Sequence, residues 1–189
     1  MFSISVLGSS RALEDSLDYR HAVEIGREIA RRGGRVVCGG HGGVMEAVSR
    51  GARESGGPVL GVLLSDGTPN RWVSEVAREA DLSARLRRLR DESSAAIFLP
   101  RGLGTLLEIA WMSESIAKAL VPPRPLVFLG TFWRRAVALA VNEAAGPGAE
   151  ALGRSIQFVS TPAAAVAAAF GDPAPDSVGG QPSPGTPSP

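Results

Sequence analysis

At 189 residues the chain suits one domain with a substantial core, and two full domains would be cramped. The formal charge of +1 mixes both signs with no basic stripe, which speaks against a nucleic-acid partner. A single cysteine, Cys38, excludes an internal disulfide framework and, with no basic leader or long apolar segment in view, points to a reducing, cytoplasmic setting away from membranes.

Phe2 to Leu7 reads as a first strand. The small-residue turn after it, Gly8-Ser9-Ser10, serves equally well as a ligand-facing loop or an ordinary helix cap. From about Ser16 to Arg32, Ala22, Ile25 and Ile29 recur at helical spacing, and Gly33-Gly34 supplies the stop. Arg35 to Cys38 is a short second strand that opens into Gly39-Gly40-His41-Gly42-Gly43. The helix behind that turn carries Met45, Val48 and Ala52 on one side. Four glycines in five residues are entropically wasteful unless the backbone must approach something closely. The spacing is not the dinucleotide fingerprint, and no P-loop lysine follows. His41 can hydrogen-bond a base or ribose, although a solvent-facing loop histidine is the commoner outcome.

Val59 to Leu64 forms a third strand, and Ser65 to Ala80 a longer polar connection of a kind that is often functional or mobile. Asp81 to Arg90 is a helix with Leu82, Leu86 and Leu89 on its buried side, so that Arg87, Arg88 and Arg90 read as a solvated face. Ala95 to Leu99 is a fourth strand, stopped by Pro100. Gly102 and Gly104 then permit backbone conformations that a Cβ resists, and Thr105 is placed to start a helix running to Ala119. Leu126 to Leu129 is a fifth strand, and Thr131 caps a helix reaching about Glu143. Gly146-Pro147-Gly148 marks a loop, Ile156 to Val159 a last short strand, and Thr161-Pro162 the start of an alanine-rich helix ending near Phe170-Gly171. From Asp172 onward the Pro, Ser and Gly composition reads as a disordered tail, leaving residues 1–171 as a single domain.

Strands alternating with helices imply an α/β fold with a mostly parallel sheet flanked by helices on both faces. Both glycine turns then lie at the carboxyl ends of their strands, on one rim, where open α/β sheets bind ligands. At the second turn a helix N-terminus offers free N–H groups and the positive end of the helix dipole, which suits a phosphate. Glu108 lies one turn inside that helix. The pattern reads as a nucleotide site with a candidate catalytic acid.

The stretches Gly39-Gly40-His41-Gly42-Gly43-Val44-Met45-Glu46-Ala47 and Pro100-Arg101-Gly102-Leu103-Gly104-Thr105-Leu106-Leu107-Glu108 resemble the Rossmann-like superfamily of the Lonely Guy (LOG) phosphoribohydrolases. That superfamily also contains the molybdenum cofactor carrier proteins. The resemblance covers roughly Phe2 to Val159 and implies a Rossmann-like three-layer sandwich. It implies hydrolysis of the N-glycosidic bond of a nucleoside 5′-monophosphate, AMP or a modified adenine nucleotide, to free base and ribose 5-phosphate. No cofactor is required for that reaction and no metal is expected. The family motif P-G-G-x-G-T-x-x-E puts its last glutamate at Glu108, and the arginine of M-x-x-R-K falls on Arg85, making these the implied catalytic residues. The implied substrate- and phosphate-binding residues are Gly8, Ser9, Ser10, Gly39, Gly40, Gly42, Gly43, Met45, Arg101, Gly102, Gly104 and Thr105. A homodimer is implied as well.

Three departures from the family pattern stand out: Leu86 replaces a lysine, Arg101 a glycine and Leu107 a common first glutamate. The stretches Gly42 to Ala47 and Gly104 to Ala110 look closer to the carrier branch. A non-catalytic carrier or sensor that binds a nucleotide or the molybdenum cofactor is therefore the alternative. For the hydrolase, cleavage builds oxocarbenium character on the ribose, which a carboxylate such as Glu108 can stabilise, or it can activate water. Arg85 can hold phosphate or orient Glu108, and Arg101 can contact phosphate or obstruct the pocket. Lysine decarboxylase, a label often attached to such sequences, is excluded, because pyridoxal phosphate chemistry requires a lysine Schiff base and Lys118 lies far along the helix from the turn.

Overall fold

The short apolar runs pair into one parallel sheet in the computed structural model, which describes residues 1–172. Its strands are β1 (Ser3–Leu7), β2 (Arg35–Cys38), β3 (Val59–Leu64), β4 (Glu75–Glu79), β5 (Ala95–Phe98), β6 (Leu126–Leu129) and β7 (Ile156–Val159). The connecting helices are α1 (Leu17–Arg31), α2 (Val44–Glu54), α3 (Leu82–Asp91), α4 (Leu103–Ala117), α5 (Arg134–Asn142), α6 (Ala149–Ser155) and α7 (Pro162–Phe170). Strand order is β4-β3-β2-β1-β5-β6-β7, a Rossmann-like arrangement in which every pairing is parallel.

Strand side chains alternate between the two faces, so each strand feeds two cores. Ile4, Val6, Val36 and Ile97 meet Ile25 and Ile29 of α1, Val48 of α2 and Val166 of α7. Leu7, Val37, Phe98 and Phe128 meet Leu89 of α3, Ile109 and Met112 of α4, Val137 of α5 and Leu152 of α6. Phe98, Phe128 and Phe158 stack across β5, β6 and β7 with centroids 4.8 and 5.1 Å apart. Trp133 donates its indole N–H to the Leu99 carbonyl at 2.9 Å, tying the start of α5 to the end of β5.

The helix starts read at Ser16, Asp81 and Thr161 are N-caps, each of whose side chains accepts a backbone N–H of the first turn. Two elements were not expected. Within the predicted connection Ser65 to Ala80, Glu75–Glu79 pairs with β3 as an edge strand, its charged residues facing water and carrying no strand-like pattern. Ala149–Ser155 is a short helix lacking a side-chain cap, so nothing local announces it. Trp133, not Thr131, sits at the N-cap of α5. Asp172, placed at the head of the predicted tail, is ion-paired with Arg32 at 2.6 Å, and the rest of that tail lies outside the described residues.

Candidate active site

The order of the strands reverses between β1 and β5, which lie side by side while their chains lead to opposite halves of the sheet. The loops leaving their carboxyl ends therefore diverge and leave a crevice. A cleft of about 890 Å³ opens there, large enough for a nucleotide-sized ligand. It is lined by Leu7 to Leu13, Ser16 and Asp18 of the α1 start, His41, Met45, Arg85, Arg101 to Thr105, and Glu108. Both glycine turns thus converge on the edge expected for them.

Glu108 faces this cleft from α4 while remaining only 8 % exposed. The nearest cation is Arg85, whose Nη1 stands 3.9 Å from Glu108 Oε1. Arg85 is itself tethered, donating from Nε to the Val62 carbonyl at 2.8 Å and from Nη2 to the Gly39 carbonyl at 3.5 Å. Burial pushes the Glu108 carboxyl up to about 7, with the Arg85 charge pulling partly back. A carboxyl poised near neutrality suits proton transfer. Burial also holds His41 below the usual imidazole range, and the Arg85 charge adds to the effect, so a neutral ring faces the cleft.

The glycine-rich turn after β2 is closely approached, as its composition demanded, but by the protein itself. A Cβ on Gly39 would lie 2.2 Å from Arg85 Nη2 and 2.7 Å from Met45 Sδ. At Gly43, where φ is 68°, a Cβ would lie 2.4 Å from the Ser9 carbonyl oxygen, and the next residue, Val44, donates its N–H to that same oxygen. Gly39, Gly40 and Gly43 are thus packed against protein, Gly42 is half-exposed with nothing closer than 3.9 Å to a Cβ placed there, and none of the four lines the cleft, which Met45 and His41 do. Asn70, from the connection after β3, clamps the turn by donating its amide to the Gly40 and His41 carbonyls. Sequence reasoning missed Asn70, whose only local signal was its place in a polar turn.

Helix α4 begins at Leu103, earlier than predicted, with Gly102 at the N-cap and no side chain capping it. Thr105 falls inside the first turn, buried, with Oγ1 turned toward Gly102. The first N–H groups of α4 lack intrahelical partners and face the cleft beside Gly8, Ser9 and Ser10. Arg101 has φ 69°, a left-handed conformation at the position where the LOG motif has glycine. Its guanidinium is ion-paired with Asp18, a cleft residue in the first turn of α1 that sequence reasoning did not single out.

Two other basic residues find places away from the cleft. Arg90, expected on the solvated face of α3, is tucked against α4 and donates to Ser115 Oγ at 3.1 Å. Lys118 is the C-cap of α4 and bonds the Ala145 carbonyl. At a helical rise of 1.5 Å per residue, Lys118 lies about 15 Å along the helix from Glu108 and about 22 Å from the helix start. Among the described residues no His/Cys/Asp/Glu group could hold a metal ion, and no helix is long and apolar enough to cross a membrane.

Residues 1–126 match the model of the SLOG cluster4 family. The chain belongs to that family. An uncharacterised Archaeoglobus fulgidus protein is 33 % identical over 111 residues, 58 % of this chain and 72 % of its own length. A probable cytokinin riboside 5′-monophosphate phosphoribohydrolase of Oryza sativa subsp. japonica is 34 % identical over 125 residues, 61 % of this SLOG chain and 53 % of the plant protein. The SLOG chain thus spans about half the length of that plant relative. Among solved structures, the molybdenum cofactor carrier protein of Chlamydomonas reinhardtii superposes with a TM-score of 0.71 at 25 % identity, covering 90 % of this chain and 96 % of the carrier.

Proposed function

We propose that this SLOG protein hydrolyses the N-glycosidic bond of a nucleoside 5′-monophosphate, AMP or a modified adenine nucleotide, releasing free base and ribose 5-phosphate. The observation that carries the reading is Glu108, a carboxyl poised near neutrality at the wall of the cleft, within 3.9 Å of Arg85 and one turn from an uncapped helix N-terminus. The phosphate docks on the first N–H groups of α4, with Gly102, Gly104, Ser9, Ser10 and Arg101 around it. The ribose then lies toward Glu108. As the bond between C1′ and the base nitrogen stretches, positive charge grows on the sugar, and an ionised Glu108 stabilises it and accepts a proton from the attacking water. Water oxygen bonds to C1′, and the base departs with the electron pair and takes up a proton. Arg85 keeps part of the Glu108 population ionised, and neutral His41 offers the base a hydrogen bond. The names of the plant relatives support this class of substrate.

The test is incubation with a panel of nucleoside monophosphates and chromatography for free base. Release from at least one adenine nucleotide, lost in Glu108→Gln while AMP binding persists, is the expected result. No release from any monophosphate overturns it.

A second reading, a non-catalytic carrier, is favoured by one observation: the fold superposes on the Chlamydomonas carrier over 90 % of this chain and 96 % of the carrier. The residues fit the cofactor's phosphate, since α4 offers it the same N-terminus, and the cleft has room for a pterin. Under this reading purified protein carries a bound cofactor detectable by mass spectrometry, or molybdopterin raises its melting temperature. Under either reading we propose a cytoplasmic homodimer. Its support is the apolar outer face of α4, where Leu103, Leu106 and Leu107 are 83 %, 38 % and 40 % exposed.

A further inference from the structure

We propose that Arg101 and Asp18 together set the preference of the cleft for phosphorylated ligands: Asp18 holds the Arg101 guanidinium across the cleft mouth, and an entering phosphate takes its place. The inference rests on the nucleotide reading above and adds to it the residue that holds the phosphate-binding arginine in waiting. Arg101 immediately precedes the N-cap of α4, and Asp18 lies in the first turn of α1, so the ion pair joins two helix starts that both line the cleft.

Three features make the pair exchangeable. The Arg101 side chain is 64 % exposed against 14 % for Asp18, so the arginine end of the pair is open to solvent, and a guanidinium fork on a phosphate makes strong, two-pronged hydrogen bonds. Asp18 sits at the positive end of the α1 dipole, so its carboxylate stays stabilised when Arg101 leaves. The Phe132 ring, 5.9 Å from the guanidinium carbon, gives Arg101 a surface to move along. The left-handed backbone at Arg101 is one that glycine would adopt without strain, which argues that the side chain contributes something glycine cannot. An unphosphorylated ligand has nothing to offer Arg101 in exchange for Asp18. The cleft also presents Arg11, Arg85, His41 and Glu108, but Arg85 is already held by two carbonyls and stands beside Glu108.

The test is isothermal titration of the full chain with AMP, adenosine and inorganic phosphate. The proteins are wild type, Asp18→Asn, Arg101→Gly and the double variant, each checked for cooperative thermal unfolding. Asp18→Asn is expected to bind AMP and phosphate at least threefold more tightly, and Arg101→Gly at least tenfold more weakly, with adenosine unchanged in both. The gain from Asp18→Asn should shrink when Arg101 is absent, because only direct repulsion by Asp18 is then relieved. A gain that is missing, or as large without Arg101, overturns the exchange, as does an equal loss of AMP and adenosine in Arg101→Gly. If phosphate alone binds and shows the pattern, the nucleotide reading fails and the exchange stands. If AMP binds without the pattern, the exchange fails and the nucleotide reading stands. A wild type that binds none of the three overturns both.

Discussion

Replacing Glu108 by glutamine should stabilise the protein in a pH-dependent way, and the size of the effect follows from its burial. The folded-state carboxyl titrates at about 7, against 4.5 for an ordinary glutamate. The folded state therefore holds a proton that the unfolded chain releases between those values, and wild-type stability falls as pH rises through that window. Below about pH 4.5 both states are protonated and nothing is lost, whereas above about 7 the loss levels off. At about 1.4 kcal/mol per unit, a shift of that size makes the plateau about 3 kcal/mol. Glutamine keeps the shape without ionising, so the stability of Glu108→Gln relative to wild type should climb by about that amount between pH 5 and pH 8. Urea denaturation of both proteins at half-unit pH steps measures it directly. A difference that stays flat across the range would refute the burial argument. The same carboxyl should place a limb near pH 7 in any hydrolysis profile.

Gly39→Ala should push Arg85 away from Glu108, since both displaced atoms are the far ends of flexible side chains. Its expected signature is an ionisation of Glu108 above 7 in the same urea series, and an unmoved window would show that Arg85 does not restrain it. Gly43→Ala places a Cβ 2.4 Å from backbone at a φ of 68°, so a stability loss of at least ~2 kcal/mol is expected by chemical denaturation, with weaker AMP binding as the two loops part. Leu107→Asp puts a charge on the outer face of α4 and should convert a homodimer to monomers in analytical ultracentrifugation. A wild type that sediments as a monomer would sink that proposal.

The sheet was legible because its central strands, Ser3 and Ser5 of β1 aside, are apolar on both faces, as suits a parallel sheet covered by two helix layers, and the glycine turns marked its rim. Glu75–Glu79 escaped because an edge strand takes its conformation from the neighbour it pairs with, here β3, and its sequence carries charges where a strand signature would be. Arg90 escaped for a related reason: a long cationic side chain on an amphipathic helix reads as solvated until the position of Ser115 on α4 is known. Three of the four glycines after β2, Gly39, Gly40 and Gly43, are closely approached and Gly42 is not, and sequence offers no means of telling a ligand from Arg85, Leu63 and the Ser9 carbonyl. Asp18 and Arg101 are 83 residues apart, and their pairing belongs wholly to the tertiary fold.

The three departures from the LOG pattern do not bear equally on the chemistry once they are located. Leu86, in place of a lysine, is 5 % exposed and does not line the cleft, so the position faces the protein interior. Leu107, in place of a glutamate, is 40 % exposed and does not line the cleft, and an apolar residue there extends the exposed patch of Leu106 and the cleft-edge Leu103. Neither substitution touches Glu108 or Arg85, and a missing carboxylate at 107 leaves burial as the main influence on the acid that remains. Arg101 alone enters the cleft, and it does so at the α4 N-terminus, at the phosphate end of the proposed site. Within the cleft, what separates this chain from the LOG pattern is therefore concentrated at Arg101, beside the α4 N-terminus, while Glu108 and Arg85 stand where the proposed hydrolysis would use them.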